Sequence, residues 1–163
     1  MKLALLNRQR IKPLRRTALL DLARFLADRA FPDPARRPAE ITLLFLDHAH
    51  IRPVKARYWN QSVTTDVITF TYDAPPPAPP GAHTGDILIN VQLALEVGPR
   101  HGGVDRELAL YMAHGFDHLA GADDADPRQQ RRMRRRELAW LRQARAAGKL
   151  GSLLLSRRRS RPA

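Results

Sequence analysis

Cysteine is absent from this chain of 163 residues. Its absence excludes disulfide bridges, thiolate ligands for zinc and a cysteine nucleophile, and it suits a reducing compartment. Long apolar runs are lacking too: no segment approaches the roughly 20 apolar residues that a membrane span requires. The first ten residues also lack the longer apolar stretch and the cleavage site of a secretory signal. We therefore expect a cytoplasmic protein that is not associated with a membrane.

Acidic residues are scarce at the C-terminal end of the sequence. Residues 127–163 hold 13 of the 28 Lys and Arg residues but one of the 16 acidic residues, Glu137, so the remainder of the chain is neutral. Such a concentration of positive charge attracts polyanions, with nucleic acid first and an anionic membrane surface second. The alternative interpretation is a solvated helix in a protein that is simply rich in arginine.

Hydrophobic periodicity predicts an α+β fold, with a small mixed β-sheet of about four strands covered by helices. The strands are predicted at residues 2–6, 40–47, 65–72 and 85–90. The helices are predicted at residues 13–31, 54–60, 91–97, 104–119 and 127–147. A proline-rich spacer at 73–84 is expected to be extended and solvated. We expect residues 1–147 to form a single domain and residues 148–163 to form a basic, disordered tail.

The segment HGFDHLAGADD holds the most informative spacing in the chain. His114 and His118 stand four residues apart near the end of a predicted helix, so both side chains project from one face. Gly121 can end the helix with a positive φ, and the chain can then bring Asp123 or Asp124 back toward the histidines. Two histidines and a carboxylate leave a coordination position open, as a catalytic zinc site requires. The spacing therefore predicts one zinc ion per chain.

Two alternatives accompany this motif. A pair of histidines four residues apart is common on helices without any metal. Gly115 argues for more than chance, because a glycine inside a helix costs about 1 kcal/mol relative to alanine and suggests close approach by another group. The spacing also resembles that of metzincin proteases, HExxHxxGxxH, but their catalytic glutamate is replaced here by Gly115, which makes peptide hydrolysis an unfavourable interpretation.

The motifs taken together resemble the YbeY family of rRNA-maturation endoribonucleases, over roughly residues 1–147. The matching segments are TDVITF at 65–70, GDI at 85–87, Glu107-Leu108, HGFDHLAGADD at 114–124, and Met133 with Glu137. The resemblance implies that His114 and His118 bind the metal together with the residue at position 124. The family has histidine at that third position and this chain has Asp124, which is also an acceptable zinc ligand. The neighbouring Asp123 competes for the role.

A second departure from the family lies before its TDV motif. Many members have a functional arginine six residues before the threonine that corresponds to Thr65, and this chain has Trp59 there. Positive charge could come from Arg57 or Lys55 instead, and Trp59 could stack on an RNA base or pack against the protein. The catalytic residues are not identified from the sequence, with Asp117 and Arg57 as weak candidates.

The resemblance implies a metal-dependent endoribonuclease specific for single-stranded RNA. It further implies a role in 3′-end maturation of small-subunit rRNA and in ribosome quality control, with that rRNA and the ribosome as partners. Phosphate contacts without sequence readout are expected from Arg128, Arg131, Arg132, Arg135 and Arg136. The alternative hypothesis is a non-catalytic RNA-binding factor for ribosome assembly, in which the metal only braces the fold.

Overall fold

A computed structural model describes residues 1–155 of the chain. Four strands within that range form one mixed sheet in the order β1-β2-β4-β3. They are β1 (Lys2–Asn7), β2 (Glu40–Leu46), β3 (Val67–Asp73) and β4 (His83–Asn90). The first three strands in that order run parallel, and β3 pairs antiparallel with β4 as an edge strand. The prediction of an α+β fold with four strands in a mixed sheet is confirmed.

Helices cover both faces of this sheet. They are α1 (Arg16–Ala30), α2 (His48–Trp59), α3 (Val91–Val97), α4 (Val104–Leu119) and α5 (Pro127–Ala146). Helix α2 begins at His48, six residues before the predicted start at residue 54, although Pro53 lies inside it. The Asp47 side chain accepts a hydrogen bond from the backbone N–H of His50 and caps the helix, while Ile51 is buried. Capping and burial thus outweigh the helix-breaking tendency of Pro53.

The main core lies on the sheet face that carries α1, α3 and α4. Alternate residues of β2, namely Ile41, Leu43 and Phe45, are fully buried there, as expected for side chains of period two. A smaller apolar cluster of Leu46, Ile51, Ile68 and Leu88 joins α2 to the opposite face. Helix α5 packs on α4, on the side away from the sheet. Among the described residues, no helix combines the length and the apolar character needed to cross a membrane.

Gly115 allows α4 to lie directly against β3 and β4. A Cβ atom at this position would overlap Cγ2 of Ile87 and would lie 3.2 Å from Cγ2 of Val67. The close approach expected from a glycine inside a helix is therefore present, and the group that approaches is the sheet. Because α4 sits so close, its last turns bring His114 and His118 to the edge strand.

The segment that connects β3 to β4 differs from expectation. Residues 74–82 join β3 to β4 through consecutive turns rather than an extended spacer, since Ala78 N–H donates to Pro75 O and Ala82 N–H to Pro79 O. Proline fixes φ near −65°, and this value suits a turn as well as an extended chain. The structure therefore makes the spacer the loop of an antiparallel hairpin.

The segment after α5 is anchored to the body of the protein. Leu153 is fully buried, its carbonyl accepts from Arg15 N–H at 2.9 Å, and Leu155 N–H donates to Pro13 O at 2.9 Å. Disorder was expected from residue 148 onward, but residues 149–155 are ordered because Leu150, Leu153 and Leu154 pack in or against the core. The remainder of the expected tail, residues 156–163, lies outside the described residues.

Candidate metal centre

His114 and His118 face each other on the last two turns of α4. Their Nε2 atoms are 3.1 Å apart. Oδ2 of Asp124 lies 3.9 Å from Nε2 of His114 and 3.8 Å from Nε2 of His118. The three side chains form a group that could hold one metal ion, and the structure thus brings together the residues that the spacing singled out.

The loop between α4 and α5 brings the carboxylate into this position. Gly121 has a φ of +93°, which lets the chain turn back after the helix. The side chain of Asp123 accepts a hydrogen bond from Ala125 N–H at 3.1 Å and serves the loop itself. Of the two neighbouring aspartates, Asp124 is therefore the one beside the histidines.

The partners of the two rings fix where their protons lie. Nδ1 of His114 is 2.6 Å from Oε1 of the buried Glu137, and Nδ1 of His118 is 3.1 Å from the carbonyl oxygen of Ala122. A carboxylate and a carbonyl oxygen accept hydrogen bonds, so both Nδ1 atoms donate. Each neutral ring then directs the lone pair of Nε2 toward the other ring and toward Asp124. Three electron-rich atoms that converge in this way fit a cation between them.

The spacing of the donor atoms fits a small divalent ion. Tetrahedral zinc with bonds of 2.0–2.1 Å separates its ligand atoms by about 3.3 Å. The two imidazole nitrogens at 3.1 Å are close to this value, and the carboxylate of Asp124 is somewhat farther away. The Asp124 side chain is 45% exposed, so rotation could bring its oxygen nearer without disturbing the core.

Acidic neighbours give the group a negative environment. Burial lowers the pKa of His114, but the hydrogen bond and charge of Glu137 and the charges of Asp66 and Asp124 outweigh burial, so the pKa is raised above 6.5. The same carboxylates that stabilise a proton on His114 would stabilise a bound cation, and proton and metal would compete for the ring.

A cavity of about 300 Å³ opens on the α5 side of the histidines. Its lining includes Asp66, Glu107, Tyr111, His114, Asp124, Arg134 and Glu137. Oε2 of Glu107 is buried without a hydrogen-bond partner among the described residues, although Nδ1 of His101 lies 3.3 Å away in an ion-pair contact. Burial, together with the Glu107 carboxylate, raises the pKa of Tyr111 above its usual 10, so its phenol stays protonated.

A second cavity of about 350 Å³ opens on the α2 side. It is lined by Lys55, Trp59, residues 65–69, His114, His118 and Asp124. Asp66 lines both cavities, and its Oδ1 accepts from Thr65 Oγ1 and Val67 N–H. Fully buried Asn90 holds this segment in place, because its side chain donates to Thr65 O and its backbone N–H to Asp66 O, both at 2.8 Å.

The two weak catalytic candidates do not line either cavity. Asp117 is buried, and both of its oxygens accept hydrogen bonds from the guanidinium of Arg136 at 2.8–3.0 Å. Burial raises the pKa of Asp117 and Arg136 lowers it, with a net raised pKa. The guanidinium of Arg57 lies 5.8 Å from the ring centroid of Tyr58. Lys55, a basic residue of the same helix, lines the cavity on the α2 side instead.

The basic face of α5 is largely as the sequence indicates, with one correction. Four of the five arginines expected to contact phosphate are exposed: Arg128, Arg131, Arg132 and Arg135. Arg136 is half-buried and engaged with Asp117, so it joins α5 to α4 instead of projecting into solvent. An RNA contact for the four exposed arginines stays a prediction.

Among the cavity residues, no role is predicted from the sequence for Glu137 or Arg134, whereas Lys55 is expected as one possible source of positive charge. Glu137 supports His114, while Arg134 and Lys55 place positive charge on opposite sides of the donor group. Glu137 is the single acidic residue of a basic helix, and this isolation could have indicated from the sequence that it has a specific partner. Arg134 precedes it by three residues, so both lie on neighbouring parts of one helical face.

The fold and the site define a class of protein: a small α+β domain whose two histidines and one carboxylate form a donor set of the kind that metal-dependent hydrolases use. A family model described as "Endoribonuclease YbeY" matches residues 6–145. The chain belongs to the YbeY endoribonuclease family, and the resemblance inferred from the motifs is confirmed.

Relatives named "Endoribonuclease YbeY" share about a third of their aligned residues with the chain. The protein of Elusimicrobium minutum is 36% identical over 100 residues, which cover 61% of this chain and 70% of that protein. The relative from Anaeromyxobacter sp. is 34% identical over 73% of this chain and 60% of its own length. The relative from Corynebacterium kroppenstedtii is 32% identical over 82% of this chain and 69% of its length.

A solved structure supports the fold independently. The solution structure of TM1509 from Thermotoga maritima aligns with a TM-score of 0.58 and 16% sequence identity. The alignment covers 98% of this chain and 99% of that chain. The two proteins therefore share the fold.

Proposed function

We propose that this protein is a metal-dependent endoribonuclease that cuts single-stranded RNA in the cytoplasm. Its proposed role is 3′-end maturation of small-subunit rRNA and ribosome quality control, with the ribosome as partner. The observation that carries the metal dependence is the convergence of Nε2 of His114, Nε2 of His118 and Oδ2 of Asp124. Membership of an endoribonuclease family supports the choice of RNA as the substrate.

The residues that would hold the ion are His114, His118 and Asp124, and we propose zinc because two imidazoles and one carboxylate suit it without thiolates. A bound zinc ion supplies Lewis-acid chemistry: it polarises a phosphate oxygen and lowers the pKa of water to about 7. Glu137 and the carbonyl of Ala122 orient the two rings by accepting from Nδ1.

Neighbouring residues have the charges needed to position a phosphodiester. Lys55 lines the cavity on one side of the donor group and Arg134 the cavity on the other, so cations flank the point where a phosphate would lie. Preorganised cations of this kind stabilise charge that develops during phosphoryl transfer. Asp66 lines both cavities and would accept or orient a proton of the attacking group there.

The decisive experiment compares histidine variants of the full chain. Metal content is measured by mass spectrometry, and cleavage is measured on a single-stranded RNA that carries a small-subunit rRNA 3′ end, with the same sequence in duplex form beside it. His114→Ala and His118→Ala are expected to lose both metal and cleavage. His50 is an exposed residue of α2 that pairs with Asp47, so His50→Ala is the matched control and is expected to keep both metal and cleavage.

Two outcomes would contradict the proposal. Equal cleavage by wild type and both site variants would remove the metal from the reaction. A wild-type protein that binds metal and RNA but leaves the single strand intact would favour the alternative hypothesis, a non-catalytic assembly factor with a structural metal. Cleavage of the duplex at the same rate would remove the single-strand specificity alone.

A further inference from the structure

Three exposed aromatic side chains lie together at the edge strand. Tyr58, Trp59 and Tyr72 are 59%, 48% and 47% exposed, respectively. They are the exposed aromatic residues of the described chain, whose other aromatic side chains are buried or partly buried. Apolar rings left in water in one place mark a binding surface more often than isolated exposed residues do.

Phe70 on β3 gives this cluster a rigid base. Its ring centroid lies 4.9 Å from that of Tyr58, 6.0 Å from that of Trp59 and 6.2 Å from that of Tyr72. Tyr58 and Trp59 occupy the last turn of α2, which ends at Trp59 and is followed by the C-cap residue Asn60. We call Tyr58, Trp59, Phe70 and Tyr72 the aromatic platform. Because a helix end and a strand supply its rings, their positions are set before any ligand arrives.

The aromatic platform is continuous with the candidate metal centre. Trp59 lines the same cavity of about 350 Å³ as His114, His118 and Asp124. A ligand that covered the Trp59 ring could therefore extend directly to the three donor atoms. The platform adjoins the site rather than lying on a separate face.

We propose that the aromatic platform binds the exposed bases of single-stranded RNA by stacking, with Trp59 as the main contact, and so directs the adjoining phosphate to His114, His118 and Asp124. This inference rests on the proposed function, since it assumes an RNA substrate. Stacking of bases on aromatic rings tolerates every base, because each has a π face. A duplex keeps its bases stacked inside and could not offer them, so the platform would select single strands.

The charge beside the rings fits a nucleic acid strand. Lys55 lines the cavity with Trp59, and Arg52 and Arg57 are exposed on the same helix. The acidic groups that face this region are Asp66 and the proposed ligand Asp124 in the cavity, and Asp86, which accepts a hydrogen bond from the hydroxyl of Tyr72 at the far end of the platform. Rings for bases beside cations for phosphates are the combination that single-strand binding proteins use.

The test is a binding measurement that does not depend on cleavage. The full chain is titrated with a decamer of 2′-O-methyl phosphorothioate uridine, which resists hydrolysis, and with the same backbone lacking its bases. Trp59 fluorescence is expected to be quenched by the base-bearing strand only. Trp140 is buried and gives a constant background, which the Trp59→Phe variant measures. Trp59→Ala is expected to weaken binding of the base-bearing strand about 5- to 150-fold and to leave binding of the abasic strand unchanged.

Matched variants separate stacking from loss of fold. Trp59→Phe retains an aromatic face and is expected to recover most of the affinity. Leu6→Ala removes a side chain that is 46% exposed on β1, at the opposite edge of the sheet, and is expected to change nothing. Zinc content and circular dichroism of Trp59→Ala are expected to equal those of wild type, which would exclude an indirect effect through the metal centre.

Equal affinity for the base-bearing and abasic strands would overturn the proposal, whatever the cleavage assay shows. Self-association in sedimentation experiments that Trp59→Ala abolishes, without competition from the strand, would also overturn it and make the platform an interface between copies of this chain. Loss of cleavage by His114→Ala tests the proposed function separately, so the two failures are distinguishable.

Discussion

Oε1 of Glu137 lies 2.6 Å from Nδ1 of His114 and connects the basic helix α5 to the histidine pair on α4. The carboxylate is buried, with 2% of its side chain exposed. It therefore orients the ring strongly and makes its Nε2 a better ligand, as carboxylates behind metal-bound histidines do. The relationship explains why an isolated acid occurs in a helix that is otherwise rich in arginine.

The first prediction concerns this support. Glu137→Gln keeps the shape of the side chain but removes its charge and weakens its acceptor. Zinc affinity is expected to fall about 10- to 100-fold, while the fold is retained. Competition with a chromophoric chelator measures the affinity, and circular dichroism monitors the fold.

Asp117→Asn is the matched control for Glu137→Gln. It neutralises a second buried carboxylate between the same two helices, but one that is engaged with Arg136 and lies outside both cavities. Its zinc affinity is expected to stay within a few-fold of wild type. Equal losses in the two variants would mean that packing between α4 and α5, and not the bond to His114, governs the affinity.

The second prediction distinguishes two neighbouring aspartates. Asp124→Ala removes an oxygen that lies 3.8–3.9 Å from both Nε2 atoms and is expected to lower the zinc content of the purified protein. Asp123→Ala removes a hydrogen bond to Ala125 N–H within the loop and is expected to retain the metal. Elemental analysis of both variants shows which aspartate binds the metal. Loss of metal from Asp123→Ala and its retention by Asp124→Ala would assign the third ligand to Asp123 instead.

The sequence predicted the parts of the site that lie within one helix and its following turn. His114 and His118 are four residues apart, and helix geometry alone places them on one face. The sequence also indicated a positive φ at Gly121. The turn that this conformation makes restricts the third ligand to one of the next few residues. Local spacing therefore carried most of the information about the donor group.

The residues supplied by distant segments could not be placed in the same way. Glu137 follows His114 by 23 residues, and Trp59 precedes it by 55. Glu137 reaches the donor group because α5 packs on α4, and Trp59 lines the adjoining cavity because the end of α2 lies beside the edge strand. No periodicity within one element encodes such contacts, and packing between elements decides them.

One error shows where composition was misleading. The arginines near the C terminus indicated disorder from residue 148, but Leu153 is buried. A basic segment was thus interpreted as solvated, although its apolar residues attach it to the core.

The third prediction concerns the contact of α4 with the sheet. Gly115→Ala is expected to destabilise the protein, because overpacking against Ile87 costs about 1–3 kcal/mol and alanine returns only about 1 kcal/mol of helix propensity. In the Ile87→Ala background the obstructing Cγ2 atom is gone, and the same substitution is expected to be neutral or stabilising. Urea unfolding of the four proteins measures this coupling. Identical effects of Gly115→Ala in both backgrounds would contradict the contact.

The fourth prediction concerns the segment after α5. Leu153 is fully buried, whereas Leu155 is 38% exposed. Leu153→Ala is expected to lower the free energy of unfolding by about 2–5 kcal/mol, and Leu155→Ala by less than about 1 kcal/mol, as exposed substitutions usually do. Thermal or urea denaturation compares the two variants. If Leu153→Ala left the free energy of unfolding unchanged, residues 149–155 would contribute nothing to stability and the folded unit would end with α5.

The fifth prediction separates two adjacent arginines of α5. Arg136 donates three hydrogen bonds to the buried carboxylate of Asp117, whereas Arg135 is exposed. Arg136→Gln leaves Asp117 without its cation and is expected to cost about 1–3 kcal/mol of stability. Arg135→Gln is expected to leave stability within about 0.5 kcal/mol.

The same pair is expected to show the opposite order in RNA binding. If Arg135 contacts a phosphate, its loss weakens binding of single-stranded RNA and reduces the slope of log affinity against log salt by about 0.7. Arg136→Gln is expected to leave that slope unchanged, because its guanidinium is already paired with the carboxylate of Asp117. Affinities measured at several salt concentrations, with each variant below its unfolding temperature, provide the slopes. Equal slopes for wild type and Arg135→Gln would remove this residue from the RNA-binding face.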